Sequence, residues 1–143
     1  MAYYYSNKPN LSFNDAVAKI TETLKQQGFG IITSIDMKET LRQKLNIAFR
    51  NYKILGACNP QFAYNAITRE SHIGLMLPCN IVVQQHENGQ VEVSAINPLE
   101  TLDLANLNHI AKEVSSRLRA AIDDLYRDSS EPKRNETLPN KLG

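Results

Sequence analysis

Charge of one sign is what this chain lacks first: sixteen Lys and Arg stand against fifteen Asp and Glu over 143 residues, a net charge of +1. An electrostatic DNA or RNA binder carries a basic excess or stripe, so nucleic acid is not expected as a partner. No apolar run reaches the roughly 20 residues of a membrane span, so no membrane is expected either. The opening Met1-Ala2-Tyr3-Tyr4-Tyr5-Ser6 has neither the basic start nor the greasy stretch of an export signal. With only two cysteines in the chain, a cytoplasmic, reducing home and free thiols are expected.

Reaction motifs are missing as well. There is no G-x-S-x-G, no G-x-x-x-x-G-K, no G-x-G-x-x-G and no C-x-x-C. The histidines, His72, His86 and His109, form no local ligand pair, and the acidic residues fall singly, which leaves no carboxylate pair for acid–base work. No catalytic residue is assigned on this basis, and neither a metal nor a cofactor is named.

What is present is a core. Apolar residues make up 42% and charged residues 22%, the balance of a small globular domain. A single domain is expected over 1–127, followed by a polar tail over 128–143 with two prolines. Tyr3 to Lys8 reads as a β-prone stretch. Ser12 then caps a helix in which Phe13, Ala16, Val17, Ile20 and Leu24 recur at helical spacing, and Gly28 closes it. Phe29 to Met37 reads as a strand with Phe29, Ile31, Thr33, Ile35 and Met37 on one face. Asp36 with Glu39 opens a short helix near Lys38 to Asn46, expected to bury Leu41 and Leu45.

Tyr52 to Cys58 is a strand that runs into Asn59-Pro60, a strong helix start. The helix from Pro60 to Arg69 should pack Phe62, Ala63, Ala66 and Ile67. Ile73 to Leu77 is strand-like up to Pro78, which implies an edge or a bulge, and Ile81-Val82-Val83 resumes the strand. Asn88-Gly89 suits a two-residue type I′ turn, which would set Val82 opposite Ala95 and His86 opposite Val91. Asn97-Pro98 with Glu100 repeats the helix-start signal. The final helix, roughly Asp103 to Arg127, carries Leu104, Leu107, Ala111, Val114, Leu118, Ala121 and Leu125, with Ile110 and Ile122 widening a stripe suited to packing on a sheet.

Three segments carry a family resemblance. Tyr52 to Pro60 with Ala63-Tyr64 and Ala66, Ile73 to Asn80 with Val82-Val83, and Val91 to Pro98 together resemble the hallmarks of a bacterial and archaeal family, domain of unknown function 302, over residues 3 to 126. The resemblance implies an α+β fold: two layers, a mainly antiparallel sheet with helices on one face, and TATA-binding-protein-like topology. It supplies no agreed activity and no catalytic residue, and the name of the fold is no argument for DNA binding. His72 stands where the pattern leads one to expect a Pro-rich or basic pair.

The thiols are the residues best suited to chemistry. Cys58 ends a strand just before a helix start, a place where unpaired N–H groups and the dipole lower a thiol's pKa. Cys79 follows a proline break. A pocket containing Cys58, Asn59, Cys79 and Asn80, with His72 leading into it, is therefore the expected ligand site, for a small molecule or a soft metal. Both sulfurs are expected on one side of the sheet. The helix starts at Asn59 and Asn97 also offer N–H groups to an anion, although capping alone accounts for both asparagines. The alternatives are a thiol enzyme or redox protein using Cys58 as nucleophile, and a structural interaction module. Self-association as a homodimer is expected through a sheet edge or the long helix, the aromatic Tyr3-Tyr4-Tyr5 strand being one candidate edge.

Overall fold

A computed structural model describes residues 2–101 and 105–126. Five strands, β1 (Tyr4–Asn7), β2 (Gly30–Asp36), β3 (Tyr52–Cys58), β4 (Cys79–Gln85) and β5 (Val91–Ile96), form one antiparallel sheet in the order β1-β5-β4-β3-β2. The helices are α1 (Phe13–Gln26), α2 (Met37–Leu45), α3 (Pro60–Arg69), α4 (Pro98–Thr101) and α5 (Asn108–Asp123). The chain is an α+β domain, with α1 and α5 lying over one face of the sheet.

The capping signals act as the sequence suggests. The Ser12 hydroxyl accepts from the Asp15 N–H at 3.1 Å, Asp36 from Glu39 at 3.0 Å, and Asn59 from Phe62 at 3.1 Å. Gly28 follows α1 at φ +86, the left-handed conformation that favours glycine. The α5 stripe is buried: Ile110, Val114, Leu118, Ala121 and Ile122, with Leu107 just before the helix, share one core cluster with Val83, Val93 and Ala95 of the sheet and with Ile20 and Leu24 of α1, and Ala111 is buried too. At roughly 25 cal/mol per Å² of apolar surface removed from water, this interleaving is the main force holding the layers together.

Register departs from expectation at the hairpin. Val82 stands opposite Ser94, Ile81 opposite Ala95, and Gln85 opposite Val91. The loop has three residues, Glu87-Asn88-Gly89, with only Gly89 at positive φ, as in a turn closed by a left-handed glycine. Burial decides the matter. This register pairs Val83 with Val93 and Ile81 with Ala95, all buried, whereas a slip of one residue would pair inward side chains with outward ones.

The face expected of β2 is cut in two. A bulge at Ile32 places Ile31 beside Ala57 on the helix-covered side and Thr33 beside Gly56 on the other, so Ile35 is 46% exposed. The short helix α2 buries none of its residues, and Leu45 is 61% exposed; its caps and the pairing of Glu39 with Arg42 and Gln43 support it. Ile73 to Leu77 is not a strand. Ser71–Met76 is a 3₁₀ helix started by the Glu70 carboxylate, which accepts from the His72 N–H at 3.2 Å. Pro78 then lies just outside β4, a central strand and not an edge.

The last helical region is broken where one helix was expected. Asn97 launches only the single turn α4, and α5 starts at Asn108 after a 3₁₀ turn, Ala105–Leu107. Leu104, Arg127 and the tail 128–143 lie outside the described residues. Asn97 is fully buried and does more than cap. Its Oδ1 accepts from the Leu99 N–H at 3.1 Å and the Ser115 hydroxyl at 2.9 Å, its own N–H donates to the Tyr3 carbonyl, and the Tyr5 hydroxyl lies 2.6 Å from Ser115. This chain of polar contacts fastens β1, the end of β5 and α5 to one another.

Candidate functional site

An apolar cavity of about 570 Å³ opens at the end of the sheet where β3 leaves for α3 and the 3₁₀ helix enters β4. Ala57, Cys58 and Asn59 at the end of β3 line it at the sheet's end, with Pro78, Cys79 and Asn80. Phe62, Ala63 and Ala66 of α3 make one wall, Ile73 to Met76 another, and Leu107, Ile110, Ala111 and Val114 the third. Phe29, Ile32, Ile67, Leu77, Ile96, Pro98 and Thr101 belong to the lining as well. Small residues on α3 and on β3 create the hollow: Ala57, Ala63 and Ala66 stand where larger side chains would fill it.

Four of the five expected site residues line this cavity: Cys58, Asn59, Cys79 and Asn80. His72 does not. Its side chain is 84% exposed and lies 3.3 Å from the Glu70 carboxylate, because the 3₁₀ turn carries it outward, where a strand would have led it toward Cys79. The two thiols are free, and they do not form a pair. Cys79 stands opposite Ala57, so the pleat turns Cys79 to the helix-covered face and Cys58, one residue along, to the other. The offset sets the two thiols apart across the pleat, while both residues line the cavity together with Asn59 and Asn80. Burial pushes the Cys79 thiol up to about 11, with the neighbouring Cys58 adding to the rise.

The α3 entrance is already occupied by its own chain. Pro60 has no N–H, the Phe62 N–H goes to Asn59 Oδ1, and the Ala63 N–H goes to the Asn59 carbonyl at 2.9 Å. At the start of α4, Asn97 accepts from Leu99 and, through its carbonyl, from Glu100 at 3.1 Å. The start of α4 thus spends its N–H groups on Asn97, and that of α3 keeps at most the Gln61 N–H, fewer than the Asn-Pro sequences suggest. Arg117 of α5 packs against the α3 wall. Its guanidinium lies 5.1 Å from the Phe62 ring centre, with Nε 3.0 Å from Glu113 and Nη1 donating to the Gln27 carbonyl.

Sequence reasoning missed the walls. Ile110, Ala111 and Val114 read as core stripe, Ala66 as helix packing, and Ile73 as strand. The one local signal was the glycine and proline that bracket Leu75 to Leu77, which interrupt a run too short to assign by period. Among the described residues, no group of three or more His, Cys, Asp or Glu comes together to hold a metal ion.

A two-layer α+β domain with a ligand-sized apolar hollow at one end of its sheet is the class that fold and site define. Residues 5–125 match the model of a family described as domain of unknown function DUF302, and the chain belongs to that family. It is similar to the crystal structure of an uncharacterized conserved protein DUF302 from Bacillus stearothermophilus: 30% identity, 86% of this chain and 98% of that one covered, TM-score 0.78. No curated protein matches the chain. No helix among the described residues is long and apolar enough to cross a membrane.

Proposed function

We propose that this domain binds a small molecule in the hollow between α3, the 3₁₀ helix Ser71–Met76 and α5. The observation that carries the reading is the cavity itself, about 570 Å³ with an apolar lining and a few polar groups at one end, within the roughly 300–1,000 Å³ of ordinary ligand sites. The soft-metal form of the reading has two thiols offset across the pleat and, among the described residues, no group of three His, Cys, Asp or Glu to hold an ion. A thiol enzyme would rest on Cys58, since a thiol raised to about 11 stays protonated and is a poor nucleophile near neutral pH.

Ala63→Trp tests the site. The indole would fill the hollow from the half-buried wall of α3, so a bound neutral apolar fluorophore such as N-phenyl-naphthylamine should be displaced while thermal unfolding stays cooperative. Equal dye binding by both proteins would place the dye elsewhere and count against this cavity.

A second copy of the chain is the protein partner we propose. Leu75, 85% exposed, stands with Met76, Ile67 and Ile32 as exposed apolar residues around the cavity mouth, and contiguous apolar surface of this kind marks contact sites. The long helix is not free for the purpose, because its stripe is spent on the domain's own sheet.

A further inference from the structure

We infer that the cavity selects uncharged ligands and rejects anions and cations of the same shape; this rests on the reading of the hollow as a small-molecule site. Three independent features converge. No lining residue among those described is Asp, Glu, Lys, Arg or His, so an ion inside would meet no opposite charge, and desolvating an unpaired ion is far costlier than desolvating a neutral polar group. At the start of α3 Pro60 has no N–H and the Phe62 and Ala63 N–H groups go to Asn59, which leaves at most the Gln61 N–H where an anion cradle uses several. Arg117, whose guanidinium lies 5.1 Å from the Phe62 ring centre, has its charge met by Glu113.

What remains for recognition is neutral. The Asn59 side chain spends its oxygen on Phe62, which leaves its Nδ2 as a donor, and Asn80 offers a second amide on the exposed side of the same end. Such groups suit a carbonyl, ether or hydroxyl on an otherwise apolar body. The Cys79 thiol, held protonated, adds no charge of its own at neutral pH.

The test is a matched pair of compact ligands small enough to lie wholly inside, 2-naphthalenemethanol and 2-naphthoate, titrated calorimetrically against the full chain at pH 7.5. The alcohol should bind at least about 100-fold more tightly than the carboxylate. Ala63→Lys, placing an ammonium on the cavity wall, should reverse the preference, and thermal unfolding of that variant checks that it folds. Ala63→Trp should abolish binding of the alcohol. Equal affinity for alcohol and carboxylate would overturn the selectivity while leaving the cavity as a binding site. Failure of both ligands to bind, or binding of the alcohol unaffected by Ala63→Trp, would overturn the cavity reading as well.

Discussion

Gly56 shows how much one missing side chain can decide. A Cβ there would collide with the Thr33 hydroxyl and come within 2.6 Å of Pro78 Cγ, so the strand β3 needs glycine for space and not for an unusual φ. Gly56→Ala should destabilise the domain by about 2 kcal/mol in urea unfolding, and Thr33→Ala should recover only part, because the proline ring remains. The need was invisible in the sequence, since the bulge that brings Thr33 over Gly56 is a tertiary event. The thiols teach the same lesson in reverse. Their positions at strand ends were legible, but the face each takes depends on pairing Cys79 with Ala57 and not with Cys58. In a Cys58→Ser variant, alkylation of Cys79 should be about 100-fold slower at pH 8 than that of an ordinary thiol with a pKa of 9.0, and should rise toward about 11. A rate that levels off near pH 9 would contradict the burial. Glu92 supplies an acid-limb prediction. Burial pushes its pKa up, but hydrogen bonds from Ser6 and His86, with the charges of His86 and Lys8, outweigh that and hold it below 4.5. Its stabilisation is therefore complete above the unfolded pKa and lost as pH falls through the lower folded one. Glu92→Gln should flatten the melting-temperature profile between about pH 5 and 3, and an unchanged profile would assign the acid limb to other groups.

At the scale of elements, local chemistry was the readable part. Caps and spacing located α1 and α3 to within a residue or so, because Ser12, Gly28, Asn59 and Pro60 act on their own neighbours. The hairpin was readable as a turn but not in register, since Asn-Gly serves both a two-residue loop and a three-residue loop that needs positive φ at Gly89 alone. That distinction can be measured. Gly89→Ala should cost about 1 kcal/mol through strain at φ +89, whereas Asn88→Asp, which keeps the acceptor for the Gln90 N–H at 2.9 Å, should be close to neutral. Comparable losses at both positions would restore the two-residue turn. The broken final helix was hidden for a different reason: the apolar stripe runs through the break, and the period alone gives no sign of a buried Asn97 holding Tyr3, Leu99 and Ser115.

For the molecule as a whole, composition indicated one small globular domain and the family resemblance implied its α+β fold, but neither revealed the hollow, because a cavity is made by side chains that are absent, and alanines in a helix look the same whether they pack or leave space. Self-association is open to direct measurement. Sedimentation of the full chain should show concentration-dependent dimerisation, and Leu75→Asp should weaken it by placing a charge at the apolar mouth; a monomer at high micromolar concentration would remove the proposed contact.

The two flanks of the sheet are held with unequal strength. β1 is tied to α5 by Tyr5 and by Asn7, whose Nδ2 donates to the Ile122 carbonyl at 2.8 Å, while β2 has only Ile31 half-buried and leads into a helix with no buried residue. Opening free energies should follow that difference. In amide exchange, the β2–α2 flank should take up deuterium well before the β4–β5 hairpin or α5. Ile32, on the faster flank, is also part of the cavity rim, so a ligand that seats against it would slow exchange there and turn the loosest strand into a reporter of occupancy.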